Sequence, residues 1–153
     1  MSRARTFADL ATASEEGSLA SPNLLMNGDM AISQRATSLS GQTGTSIICV
    51  DRFTIVEGAD AAFDVAQSST APDGFNNSLK IDTATADSSL ASTQYASVYQ
   101  RLEGLDVQQL LWGTSSAKSI TLSFYVRSNV TGTYALNGYA ADSDKQITKN
   151  YTI

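Results

Sequence analysis

Lys118-Ser119-Ile120-Thr121-Leu122-Ser123-Phe124-Tyr125-Val126-Arg127-Ser128 alternates apolar and polar side chains for its whole length. Ile120, Leu122, Phe124 and Val126 fall on one face of an extended chain, and Thr121, Ser123, Tyr125 and Arg127 on the other. Side chains of a β-strand point alternately to opposite faces, so this period of two predicts a strand with one core face and one face toward solvent or a partner. Working outward, Val130-Thr131-Gly132 reads as a turn, residues 133 to 140 as a strand, Asp142-Ser143-Asp144 as a tip and residues 146 to 153 as a last strand.

Toward the N-terminus, residues 95 to 102 predict another strand. Residues 104 to 112 change period: Leu105, Gln108, Gln109 and Trp112 repeat at helical spacing, so a short helix or turn interrupts the sheet before Gly113 closes it. The apolar run from Ser46 through Ile55-Val56 predicts a strand that Gly58 stops. Residues 63 to 67 and 78 to 83 are shorter strands, separated by the turn formers Pro72-Asp73-Gly74 and Asn76-Asn77. Gly41-Gln42-Thr43-Gly44-Thr45 lacks the lysine of a nucleotide-binding loop and reads as a hairpin or surface loop. Closely spaced strands without alternating helices predict an all-β fold, an antiparallel β-sandwich. The last strand ends on Tyr151-Thr152-Ile153 without a turn or polar tail, which leads us to expect that another chain completes the sheet or that the polypeptide continues.

Residues 1 to 21 read as an N-terminal arm and linker, with Phe7, Leu10 and Ala11 at helical spacing and residues 22 to 153 as the β-domain. The apolar stripe is too short to stand alone, so it is expected to be ordered by a partner.

Composition restricts function. The chain has 153 residues, enough for one core, of which 16% are charged, with a net charge of −5 that repels phosphate backbones and anionic lipid. Its basic residues are scattered along the sequence without a run, and no nucleic-acid partner is expected. Cys49 is the single cysteine, which excludes an internal disulfide and a four-thiolate metal site and reads as a small buried apolar residue. There is no histidine, so the commonest general base and the usual zinc ligand are absent; catalysis by a carboxylate pair would remain chemically available, but no arrangement of acids singles out such a pair. No stretch approaches the roughly 18 apolar residues of a membrane span, and Asp9, Glu15 and Glu16 interrupt the position of a signal-peptide core. The expectation is a non-enzyme without cofactor or membrane insertion.

Several short motifs occur in order. Ser21-Pro22-Asn23-Leu24-Leu25-Met26-Asn27-Gly28-Asp29-Met30 is followed by Gln34-Arg35, Asp51-Arg52-Phe53, Gln100-Arg101-Leu102-Glu103-Gly104-Leu105, Leu111-Trp112-Gly113, the 120 to 127 strand and Gly132-Thr133-Tyr134. This series, over residues 21 to about 135, resembles bacteriophage tail-fibre and other virion-appendage proteins that carry a carbohydrate-binding-module-like domain. The resemblance implies a jelly-roll β-sandwich, possession of a place on the virion at the tail or capsid surface, and a role in host attachment or structural decoration. It also implies virion proteins as partners, docked through Phe7, Leu10 and Ala11, a homo-oligomer (a trimer by analogy with fibres), and a host surface glycan as ligand. Phe53 stands where such proteins commonly have Trp, and both are large apolar plugs. Met30-Ala31 stands where related modules have an aromatic residue and an acid that helps hold calcium, so no metal is expected.

Asn27, Gly28 and Asp29 are then expected at a tight turn whose side chains bond the backbone, and Arg35, Asp51, Arg52 and Arg101 in buried or half-buried ion pairs that set strand register. Sugar rings pack their C–H faces on aromatic rings, which makes Trp112, Tyr125, Tyr95 and Tyr99, with Tyr134 and Tyr139, the candidate platform. The alternatives are a capsid decoration or head-fibre protein, and a depolymerase acting on host polysaccharide.

Overall fold

The computed structural model describes residues 4, 5 and 23–153. Phe7, Leu10 and Ala11, proposed from sequence as a docking stripe, lie outside the described residues. Seven strands occur in chain order: β1 (Ser38–Gln42), β2 (Thr54–Glu57), β3 (Ala62–Ser68), β4 (Ser78–Thr85), β5 (Ala96–Tyr99), β6 (Thr133–Ala140) and β7 (Lys145–Thr152). Among the described residues the sheets are antiparallel: one of three strands in the order β1-β3-β4, and two pairs, β2-β5 and β6-β7. The fold is all-β, and the only other regular element of the described chain longer than two residues is a 3₁₀ turn at Gln108–Leu110. The chain forms two compact units, one ending at Ser119 and the other spanning Ile120–Ile153.

The first unit is built around a small apolar cluster. Ile47, Cys49, Ile55 and Val65 are buried together, with Leu39, Phe63 and Leu79 packed against them. β1, β3 and β4 thus contribute Leu39, Val65 and Leu79, while Ile55 comes from β2, so the three-stranded sheet and the β2-β5 pair share this core. Cys49 is buried as expected, and its thiol also donates to the Ala36 carbonyl at 3.1 Å.

Local chemistry accounts for the irregularities. The β1-β3 register shifts between Leu39 and Gln42, where Gly41 adopts a positive φ of 60°, a conformation glycine takes without a side-chain penalty. Asp64, across the ladder, accepts the Ser40 hydroxyl at 2.6 Å and the Gly41 N–H at 2.7 Å, tying the bulge down. β3 and β4 are joined through Pro72-Asp73-Gly74, where the Phe75 N–H bonds the Pro72 carbonyl at 3.1 Å and Gly74 has φ of 88°. Glu57 ends β2 as a buried acid whose carboxylate is met by the Gly44 N–H at 3.3 Å and by the Ala59 N–H.

Three stretches depart from the sequence reading. Gly41 and Gln42, read as the start of a loop, belong to β1. The 46–56 run is not one strand: Ile47 makes a single antiparallel bridge to Ile55, and the chain between them reverses through a turn in which the Phe53 N–H bonds the Val50 carbonyl at 3.3 Å and Arg52 has φ of 74°. An apolar run buried on both sides can fold back on itself, and periodicity does not separate that from a continuous strand. The segment 118–128 forms no ladder among the described residues. Alternation decides which side chains share a face; pairing depends on a neighbouring backbone in register. Near 104–112 the expected helical turn is reduced to Gln108–Leu110, stopped by Leu111 in a left-handed conformation.

The second unit is the hairpin β6-β7, paired without interruption from Thr133↔Thr152 to Ala140↔Lys145, with residues 141–144 as its turn. An isolated hairpin is marginal. Here Tyr134 stacks on Tyr151 with ring centroids 5.8 Å apart, and Phe124 meets Tyr151 edge-on at 5.5 Å. Thus Phe124, from the alternating 120–126 segment, covers one end of the hairpin.

Val65→Ala is expected to cost about 2 kcal/mol in urea unfolding, while Ile81→Ala, at a more exposed position of β4, costs well under half of that. A second expectation concerns acid. The Ser40 hydroxyl, then the Gly41 N–H, hold the Asp64 carboxyl below the ordinary aspartate range. A depressed native pKa stabilises the fold above the unfolded value and is lost as pH falls through the native one. The urea midpoint should therefore drop as pH is lowered from about 4, and Asp64→Asn should flatten that dependence.

Candidate functional site

The motifs around Asn27, Gln34-Arg35, Asp51-Arg52 and Gln100-Arg101 come together in the first unit. Asn27 occupies a left-handed backbone conformation (φ 57°) that asparagine tolerates better than most residues. Its carbonyl accepts the Met30 N–H at 2.9 Å, closing the turn at Asn27-Gly28-Asp29-Met30. Its side-chain amide donates to the Ile32 carbonyl at 2.9 Å and the Asp51 carbonyl at 2.8 Å, and its side-chain oxygen accepts the Ile32 N–H at 2.9 Å. One side chain therefore satisfies three backbone groups, two at Ile32 and one at Asp51, 24 residues from Asn27. Asp29 is exposed on the outside of the turn.

Other side chains do the same. The Gln100 amide brackets Met26, accepting its N–H and donating to its carbonyl, both at 2.8 Å, as a neighbouring strand would. Gln67 on β3 donates to the Met30 and Ala31 carbonyls at 2.7 and 3.0 Å. The Ser33 hydroxyl lies 2.7 Å from the Ala36 carbonyl and 2.8 Å from that of Cys49. The Asp51 N–H bonds the Ile32 carbonyl at 3.0 Å, and the Asp51 carboxylate accepts the Gln34 N–H at 3.2 Å.

These contacts hold an open cleft of about 390 Å³ lined by Arg35, Arg52 and Arg101, with Asp51, Glu103 and Tyr99 and the polar side chains of Gln34 and Thr54. Basic residues that are dispersed in sequence are thus gathered in the fold: three arginines face two carboxylates here, in a chain of net charge −5. The ion pairs expected among Arg35, Asp51, Arg52 and Arg101 are not formed. Asp51 is engaged by backbone, the three arginines are exposed, and the only ion pair at the cleft among the described residues is Arg52 with Glu103 at a long 3.9 Å. The Arg101 guanidinium instead lies over the Tyr99 ring, 5.1 Å from its centroid. Arg52 holds a positive φ that costs a non-glycine residue roughly 1 kcal/mol or more.

The aromatic candidates are divided between the two units. Tyr99 is in the cleft. Tyr95 packs its ring against Gly58, where a Cβ would meet it at 3.3 Å. Trp112 is half exposed, its indole N–H donating to the Lys118 carbonyl at 2.9 Å within its own loop. In the second unit, Tyr139 is bonded to Asp144 at 2.9 Å and Tyr134 to the Val130 carbonyl at 2.9 Å, while Tyr125 is 74% exposed, the most open ring of the group. Sequence reasoning missed Glu103 as a neighbour of Arg52 and the organising roles of Gln67 in β3 and Gln100 just after β5; a glutamine in or beside a strand carries no local signal of a bond made tens of residues away. Among the described residues no three His, Cys, Asp or Glu side chains are grouped to hold a metal.

The chain matches no family model, no curated protein and no solved structure.

Asn27→Ala removes three bonds and places a residue that disfavours φ of 57° at the turn, so it is expected to destabilise by about 2 kcal/mol or more in chemical denaturation. Asp29→Ala, on the exposed side, should change stability by less than about 0.5 kcal/mol.

Proposed function

We propose that the chain is a non-enzymatic binding module of a bacteriophage virion, a tail-fibre or tail-associated appendage subunit that holds host-surface glycan. In this reading its β-domain is a jelly-roll sandwich, the N-terminal arm joins other virion proteins, and the subunit assembles as a homo-oligomer, with three copies as in fibres. The observation that carries the proposal is the convergence of the motifs behind the resemblance. Asn27, Gln34-Arg35, Asp51-Arg52 and Gln100-Arg101 are spread over 75 residues of sequence, yet they are bonded to one another or line one cleft. Residues that recur together because they build one surface would be arranged in this way.

The chemistry of the cleft suits holding. It presents guanidinium, amide and hydroxyl donors with no histidine and no cysteine at hand, and it is open to a ligand that arrives as part of a larger surface. Sugar sites of this type can be as weak as about 1 mM, roughly 4 kcal/mol, and repetition on a symmetric particle raises avidity by about 10² to 10⁴.

Reconstruction of particles carrying a tagged copy of the chain tests the proposal. Density for the tag on the tail is the expected result. Density on every capsomer would overturn attachment in favour of shell decoration, and particles lacking the chain altogether would overturn the virion role.

A further inference from the structure

We propose that the ligand of the Arg35, Arg52 and Arg101 cleft is an acidic sugar, held through an oxyanion carried on the ring: a uronate carboxylate or a sugar-linked phosphate. This deepens the reading of the cleft as a glycan contact and rests on it.

Charge is the first reason. The cleft carries one more guanidinium than carboxylate, while the chain as a whole is acidic. The acids offset the arginines only in part. Glu103 pairs with Arg52 at 3.9 Å, the Asp51 carboxylate accepts the Gln34 N–H, and Arg35 has no ion pair among the described residues. Such an arrangement leaves donors for an incoming anion.

Geometry is the second. The Arg101 guanidinium stands over the Tyr99 ring, 5.1 Å from its centroid, which restrains it at the cleft, and a guanidinium can give two N–H bonds at once to a carboxylate or phosphate. Arg52 is presented by a left-handed residue held between the Val50–Phe53 turn bond and β2. Backbone strain that survives beside a cleft is the pattern of a side chain held for a purpose.

Size and surroundings favour a sugar over a nucleic acid. About 390 Å³ falls within the range of small-ligand sites, and Gln34 and Thr54 add groups that match ring hydroxyls. A long polyanion would meet the field of the net negative chain beyond the cleft.

The test is NMR titration of the full chain with four probes: a glucuronate-containing oligosaccharide, a neutral glucose oligosaccharide of equal length, an oligosaccharide of hexoses joined by phosphodiesters and inorganic phosphate. A thymidine oligonucleotide serves as a fifth. At least one of the two acidic oligomers should saturate with shifts at Arg35 and Arg101, and which one does so names the source of the oxyanion. The neutral oligomer should bind about tenfold more weakly or not at all, and Arg35→Gln should weaken the acidic one about tenfold with the spectrum otherwise retained. Arg35→Lys should keep part of the affinity, and added salt should lower it.

Equal affinity for the neutral oligomer, or no effect of Arg35→Gln and Arg101→Gln, would overturn the acidic requirement while leaving glycan holding intact. Inorganic phosphate binding as tightly as either oligomer would reduce the cleft to an ion site and overturn the proposal. Tighter oligonucleotide binding through the same arginines would replace it with nucleic-acid recognition. Silence of every sugar probe up to about 10 mM, tenfold above a weak site, would overturn both the ligand class and glycan holding by the cleft, leaving the virion location to particle imaging.

Discussion

Backbone groups that no strand reaches must still be satisfied, and in this protein side-chain amides do it. Asn27, Gln67 and Gln100 bond six carbonyls or N–H groups of the irregular segment 26–32 and one of residue 51. A buried or half-buried peptide group left without a partner costs about as much as a lost hydrogen bond. The segment therefore has a fixed course without belonging to a sheet. That course brings Gln34 and Arg35 beside Asp51 and Arg52, and everything attributed to the cleft follows from it.

The apolar cluster supplies the frame against which these amides act. Val65 and Ile55 bind the two sheets of the first unit together, and Cys49 and Val50 extend the buried surface up to the turn that carries Arg52. Because the buried stretch ends at that turn, the next side chains emerge at the surface as Asp51 and Arg52. The core and the cleft are thus consecutive in the chain, and the step from one to the other is made at a left-handed residue.

Much of the fold is legible in sequence, for reasons that can be traced to residues. β6 and β7 are foreseen because alternation flanks a polar tip at Asp142-Ser143-Asp144, and β3 and β4 because Pro72-Asp73-Gly74 marks the reversal between them. The alternation of Ile120, Leu122, Phe124 and Val126 is equally clear, yet 118–128 has no ladder among the described residues, since periodicity carries no information on which backbone lies alongside. The break at Arg52 is illegible because an arginine at positive φ leaves no trace in composition. For the site, Arg35, Asp51, Arg52 and Arg101 are legible as a group, but their relation is not. Reading them as mutual ion pairs overlooks that Asp51 can be consumed by a backbone N–H and Arg101 by a ring.

Residue-resolved amide hydrogen exchange on the intact chain tests the central claim most directly. If side-chain amides stand in for strand partners, the N–H groups of Met26 and Ile32 exchange slowly, within about tenfold of Val65 in β3, and Asn27→Ala releases Ile32 selectively while Met26 stays protected by Gln100. Exchange of Met26 and Ile32 at the rate of an open loop in the unaltered chain would contradict the account, because the segment that shapes the cleft would then lack the bonds assigned to it.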